Sequence, residues 1–281
     1  MTPALRRDGV RHAQHSGGAA PPPDARAAHR LVLLGASNAT RGISTIVATA
    51  GASWGRPLEV LAAIGHGRSY GMPSSFLGRV LPGILQCGLW HDLAQRRPLP
   101  LRALVTDIGN DIMYGVPPQT IADWVARCID SLQLHGAHVV LTLLPEENAR
   151  RISHRKFRFF RRLFFPRCTL DLPEVQRRVA ELNHRLRQLS AARGVALQTL
   201  RPEWYGLDPI HIRYLALRRA WGTLLAHGGT QHAGLPKLRG SLGRWWYLRS
   251  RKPQRWWRGG RPRHAPQPAA HLADGTTVAF Y

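Results

Sequence analysis

The chain has 281 residues, 44% of them hydrophobic, enough for one large core or one core with appendages. Its formal charge is +24, from 40 Lys/Arg against 16 Asp/Glu. Cys87, Cys128 and Cys168 are far apart and odd in number, which argues against a disulfide framework or a cysteine-built zinc site. The 14 histidines show neither H-x-x-x-H nor H-E-x-x-H spacing, so no metal or other cofactor is expected. No apolar run approaches the roughly 20 residues of a membrane helix. The N-terminus lacks the apolar stretch of a secretory signal, and a cytoplasmic location is the expectation.

Residues 1–29, with Ser16-Gly17-Gly18-Ala19-Ala20 and Pro21-Pro22-Pro23, read as a disordered tail. Leu31–Leu34 is a short apolar run ending at Gly35, the pattern of a strand buried on both faces. Ile43, Ile46 and Val47 share one face of a helix predicted over 38–50. Further strands are predicted at Leu58–Ile64, Leu101–Ile108, Val139–Leu144 and Val195–Leu200. Helices are predicted at Pro73–Leu85, Thr120–Leu134 and Pro173–Arg193, and a last one at about 212–226, anchored by Leu215, Trp221 and Leu225. Strands alternating with helices imply a parallel sheet covered on both faces, with any ligand beyond the carboxyl ends of the strands. From about residue 229 the pattern gives way to Gly, Pro, Arg and paired Trp. Residues 30–228 thus read as the folded domain, and 229–281 as a basic extension with little core of its own.

Four short blocks fall at strand ends or in the loops beyond: Gly35-Ala36-Ser37-Asn38, Gly65-His66-Gly67, Gly109-Asn110-Asp111 and Asp208-Pro209-Ile210-His211. Ser37, between a strand and a helix, suits a nucleophile on a tight turn, where the helix N-terminus favours negative charge. It equally suits a helix cap or a phosphate-binding turn. Asp208 is spaced to hold the His211 imidazole in one tautomer, so that His211 can take a serine proton; it also suits a helix cap before Pro209. Asn110, a glycine N–H and the Ser37 N–H would supply converging oxyanion donors. A glycine turn and an Asx turn are the plainer readings of the two middle blocks.

In this order the blocks resemble the SGNH (GDSL-like) hydrolases, over about residues 31–225. The resemblance implies a three-layer α/β sandwich with a five-stranded parallel, flavodoxin-like sheet. It implies Ser37 as nucleophile, His211 as general base and Asp208 as its orienting partner. Gly67 and Asn110 would join the Ser37 N–H in the oxyanion hole, with Gly65 and Gly71 as alternatives to Gly67. The pattern departs from the family's in Ala36 before the serine, in Gly109 directly before Asn110, and in Pro209 and Ile212 around His211. The implied substrate is a small oxygen ester, such as an acetylated sugar or a lipid, and the implied reaction needs no cofactor.

Residues 150–167 hold eight Lys/Arg and residues 237–263 hold ten, with no acid in either; the rest of the chain is left at +6. On a helix, Phe157, Phe160 and Phe164 share a sector, largely opposite Arg155, Arg158, Arg161 and Arg162. The second segment interleaves Trp245-Trp246-Tyr247 and Trp256-Trp257 with its cations. Both fit an anionic membrane surface or nucleic acid as partner, and equally a solvated basic face. A fold of this kind without turnover, binding through these segments, is the alternative function. A phosphate-binding flavodoxin-like protein is the third reading, and it has no need of Asp208 or His211.

Overall fold

The computed structural model describes residues 27–226 and 241–281. Strand β1 (His29–Leu34) leads into helix α1 (Ser37–Trp54) and strand β2 (Leu58–Ala63). A hairpin follows, β3 (Ser74–Phe76) and β4 (Arg79–Leu81), and then α2 (Leu89–Gln95) and β5 (Leu101–Val105). Helices α3 (Asn110–Met113) and α4 (Pro118–Leu134) precede β6 (His138–Thr142). Next come α5 (Glu146–Arg151), α6 (His154–Phe164), α7 (Leu172–Arg193) and β7 (Ala196–Gln198). The chain continues with α8 (Leu217–Ala226) and, past the undescribed residues, α9 (Leu242–Ser250). It closes with β8 (Arg255–Arg258), β9 (Arg261–His264), β10 (Ala270–His271) and β11 (Thr277–Phe280).

The main sheet runs β10-β11-β2-β1-β5-β6-β7. Its inner five, β2-β1-β5-β6-β7, are all parallel and have the flavodoxin-like order. Side chains alternate between the two faces, as pleating requires. Val32, Leu34, Leu61 and Ala63 pack with α2, α4 and α7 on one face, whereas Leu31, Leu33, Val60 and Ala62 pack with α1 and α8 on the other. The three-layer α/β sandwich is therefore the observed architecture. The strand order reverses between β1 and β5, so the loops after these two strands flank the crevice where such sheets bind ligands.

Local chemistry explains the helices. The Asp171 carboxylate caps α7, accepting from Glu174 N at 2.9 Å, and Gly194 ends it in the left-handed conformation at φ 61°. Gly42 lets the Trp221 indole press onto α1: a Cβ there would lie 2.1 Å from Trp221 Nε1. No described helix is long and apolar enough to cross a membrane.

Four sequence expectations differ from the structure. Residues 73–85 form a hairpin and a short 3₁₀ turn instead of a helix, because Leu77 and Gly78 both adopt positive φ, at 48° and 72°, the geometry of a tight two-residue hairpin turn. The last helix starts at Leu217 after a 3₁₀ turn over Tyr214–Ala216, which turns Leu215 outward to 97% exposure while Trp221 and Leu225 are buried as expected. The sheet has seven strands where five were expected, as β11 adds in parallel to β2 and β10 pairs antiparallel with β11.

Finally, residues 241–281 are not an extension lacking core. Val278 and Ala279 are buried in the sandwich, Leu248 of α9 packs under α1's face of the sheet, and β8 extends the β3–β4 hairpin. Of the expected tail, residues 1–26 lie outside the described residues, and so do residues 227–240, which span the end of the expected domain and the start of the basic extension. An aspartate at position 278 would bury an unpaired charge. Val278→Asp is expected to cost roughly 3–5 kcal/mol in urea unfolding, whereas a loosely attached tail would leave the transition unmoved.

Candidate active site

Ser37 is the first residue of α1, and the residue before it, Ala36, offers no side chain to cap the helix. Neither Ser37 nor Asn38 caps it either. The Asp107 carboxylate does so from the loop after β5: Oδ2 accepts from Ala36 N and Ala39 N, both at 3.0 Å. Asp107 sits at φ 57°, a left-handed conformation that Asp tolerates better than most residues. With capping done from outside, the Ser37 side chain is free for other chemistry. The Ser37 backbone N–H has no hydrogen-bond partner among the described residues and points from a helix N-terminus.

The carboxamide of Asn38 ties this turn to the histidine loop. Its Nδ2 donates to Asp107 Oδ1 at 2.9 Å and to the Ile210 carbonyl at 3.2 Å, and its Oδ1 accepts from Ile212 N at 2.8 Å. His211 is thereby fixed to the segment that carries Ser37. Asp208 and His211 lie in a bend, not at a helix start. Asp208 Oδ1 accepts from Ile210 N and His211 N at 2.9 and 3.2 Å, while Oδ2 meets His211 Nδ1 at 2.6 Å. Burial works to raise the Asp208 pKa, but the His211 contact and the two backbone donors outweigh it and hold the carboxyl below its ordinary value. No hydrogen bond joins Ser37 Oγ to His211 among the described residues.

The glycine and asparagine blocks are hooked to each other. Asn110 Nδ2 donates to the Arg68 carbonyl at 3.2 Å, Asp111 Oδ2 accepts from Tyr70 N at 2.9 Å, and Tyr114 Oη donates to the Gly67 carbonyl at 2.5 Å. Gly67 needs to be glycine: its φ is 65°, and a Cβ would lie 2.9 Å from Tyr114 Oη. Gly65 and Gly71 are explained by packing, since a Cβ would strike Leu81 at 2.4 Å and Trp124 at 2.1 Å. The Asp111 carboxyl is raised to about 6, chiefly by burial.

Ser37, Asn38, Asp107 and Asn110 line one cavity of about 170 Å³ that continues between α5, α6 and α7. The basic segment 150–167 forms one wall. Phe157 and Phe160 of α6 face the cavity, and Phe164 meets the His211 ring edge-on at 5.3 Å between centroids. The other basic segment contributes Arg249. His66 is pushed from 6.5 down to about 4, first by burial and then by the charges of Arg249, His211, Arg79 and Arg41. In α9 and β8, Arg249, Arg251 and Arg255 lie over the rings of Trp245, Tyr247 and Trp257 at 4.5, 4.3 and 4.6 Å. Among the described residues no three His, Cys, Asp or Glu side chains converge as metal ligands.

Sequence reasoning missed Asp107, Tyr114 and the bridging role of Asn38. The available signal was an aspartate near the end of the mostly apolar run Leu101–Ile108. The shift of His66 gives a test of this environment. Above pH 6.5 the imidazole is neutral in both folded and unfolded chains. Between pH 6.5 and 4 the unfolded chain takes up a proton that the folded one refuses, so stability falls as pH falls. In urea unfolding at pH 7 and 4.5, His66→Gln is expected to remove roughly 2–3 kcal/mol of that loss.

No protein-family model matches the chain, and no curated protein matches it. Among solved structures the chain is similar to a psychrotrophic esterase from Pseudoalteromonas sp. inhibited by monoethylphosphonate, at 14% identity over 71% of this chain and 97% of that one, TM-score 0.46. It is similar to the M. smegmatis aryl esterase, at 16% identity over 71% and 97%, TM-score 0.47. It is also similar to a member of the lipolytic protein G-D-S-L family from Veillonella parvula, at 10% identity over 71% and 97%, TM-score 0.43.

Proposed function

We propose that this chain is a serine ester hydrolase of the SGNH (GDSL-like) type. The observation that carries the reading is the Asn38 bridge, which fixes the Asp208–His211 pair to the turn presenting Ser37. Such a pair has no use in a phosphate-binding turn, and it is what a serine nucleophile requires. Asp208 keeps the Nδ1 proton of His211 in place, so that Nε2 acts as the base. The contact between a serine hydroxyl and its base is commonly long in unliganded sites and tightens when substrate binds.

The reaction then runs as acyl transfer. His211 takes the Ser37 proton as Oγ attacks the ester carbonyl. The resulting oxyanion is met by the N–H groups of Ser37 and Gly67 and by the second Nδ2 hydrogen of Asn110. The carbon–oxygen bond to the alcohol breaks, and His211 protonates the leaving alkoxide. Water, activated by His211, adds to the acyl-serine and releases the acid and Ser37. The chain's own residues supply each proton transfer.

A fluorophosphonate probe is expected to form one adduct, at Ser37, located by mass spectrometry and lost in Ser37→Ala and His211→Ala. On a p-nitrophenyl ester, Asp208→Asn is expected to lower kcat about 10⁴-fold, and Asn110→Ala about 10²- to 10³-fold. Folded protein that takes no probe would remove the hydrolase reading.

A second reading, a lipid-binding protein without turnover, is favoured by α6. Its outer face exposes Phe159 and Leu163 among the exposed Arg155, Arg158 and Arg162. That mixture matches an anionic membrane surface. Co-sedimentation with phosphatidylglycerol vesicles, weakened by Phe159→Ser with Leu163→Ser and absent with phosphatidylcholine, is the expected result. Equal sedimentation with both lipids would count against the anionic surface.

A further inference from the structure

The cavity beside Ser37 is far more apolar than hydrolysis itself requires. Beyond Ser37 and Asn110 it is walled by Ile108 and Ile112, by Leu144 after β6, by Phe157 of α6, and by Val175 and Val179 of α7. All six of these apolar side chains are buried. Asn148, Tyr205 and Arg161 also line the cavity, Arg161 being engaged by the Leu170 carbonyl, but this stretch of wall has no hydrogen bonds to offer a sugar or a charged group and gains from displacing water with hydrocarbon. The cavity's 170 Å³ is comparable to an apolar protein cavity of about 150 Å³ that takes up benzene. That fixes the scale of the occupant at about six to eight carbons.

The placement also selects which half of the ester enters. Ser37 and the oxyanion donor Asn110 line the cavity, whereas His211 does not; it lies by Phe164 and within the charge field of His66. The group that stays bonded to Ser37 therefore extends into the cavity. The group that departs with a proton from His211 leaves on the other side.

We propose that this cavity is an acyl-binding site and that the substrate is an ester of a medium-length aliphatic acid of about six to eight carbons. This rests on the serine hydrolase reading above. The chain enters between α5 and α6 and ends against Val175 and Val179. Acetylated compounds fill only its mouth.

The test is the chain-length profile of p-nitrophenyl esters from acetate to dodecanoate, run beside a series of acetate esters of lengthening alcohols. In the wild type, kcat/KM is expected to rise about fourfold per methylene, the 0.8 kcal/mol of a buried CH₂ converted at 1.36 kcal/mol per decade. It should level off or fall beyond eight carbons, and the alcohol series should stay flat. Val179→Phe narrows the far end and Ala149→Trp, on the less tightly packed α5, narrows it from the side. Either variant is expected to lower the ratio of octanoate to acetate turnover at least tenfold. The two positions serve as mutual checks on folding, each with its own melting curve.

Turnover of acetate with a flat acyl profile, or a length dependence confined to the alcohol series, would overturn the acyl site and leave the hydrolase intact. So would a well-folded Ala149→Trp that keeps octanoate turnover. Absence of turnover at every length, together with no Ser37 adduct, would overturn the hydrolase reading and this proposal with it.

Discussion

The candidate site depends on one half-buried node, the Asp107 carboxylate and the Asn38 carboxamide. Asp107 accepts three hydrogen bonds: from Ala36 N, Ala39 N and Asn38 Nδ2. Asn38 passes the connection on to Ile210 and Ile212. Three loops distant in sequence are thus locked together, by charge-assisted bonds at Asp107 and by neutral amide bonds from Asn38 to the histidine loop. Their partial burial raises the cost of removing any one partner, because the others would be left unpaired. The node also frees Ser37 from the capping duty that its position would otherwise give it.

The sheet makes the node possible. β1 and β5 are neighbours in parallel register, Leu34 opposite Val105, so the turns that leave them emerge side by side. Ser37 and Asp107 each lie two or three residues beyond a strand end, at the point where strand order reverses. The glycine loop after β2 arrives from the other side of β1 and is held by α3 through Asn110, Asp111 and Tyr114. Two hydrogen-bonded clusters therefore face one another across the crevice. One fixes the serine and histidine segments, the other the glycine and asparagine segments.

Much of this was legible in the sequence, for a definite reason. Buried parallel strands are continuous apolar runs, a pattern that Leu31–Leu34 shows in full and Leu58–Ile64 shows but for Glu59. Each is followed closely by a glycine, so the block residues could be placed at strand ends. What could not be read depended on backbone conformation or on distant pairing. Phe76, Val80 and Ile84 recur at helical spacing, and only the positive φ of Leu77 and Gly78 makes that stretch a hairpin. The run Thr277–Phe280 is four residues long and pairs with a strand more than two hundred residues earlier, Val278 opposite Val60. Asp107 read as the end of a strand because its role arises only once its left-handed backbone aims the carboxylate at α1.

The charge distribution gains a meaning in the folded chain that composition alone withheld. Arg41 lies one turn into α1, Arg79 in the hairpin and Arg249 in α9, and all three act on His66 beside the candidate site. Basic residues from three parts of the sequence are thereby gathered at one rim. Burial first, and these charges after it, keep His66 neutral where an isolated histidine would begin to charge. A neutral His66 adds no cation to a place already crowded with them, and the one carboxylate directly against His211 is Asp208. Two carboxylates lie among these cations: Asp208 against the imidazole, and Asp107 under the N-terminus of α1. On the proposed hydrolase reading, that arrangement would favour negative charge developing near Ser37 and would set Asp208 to hold the imidazole of His211.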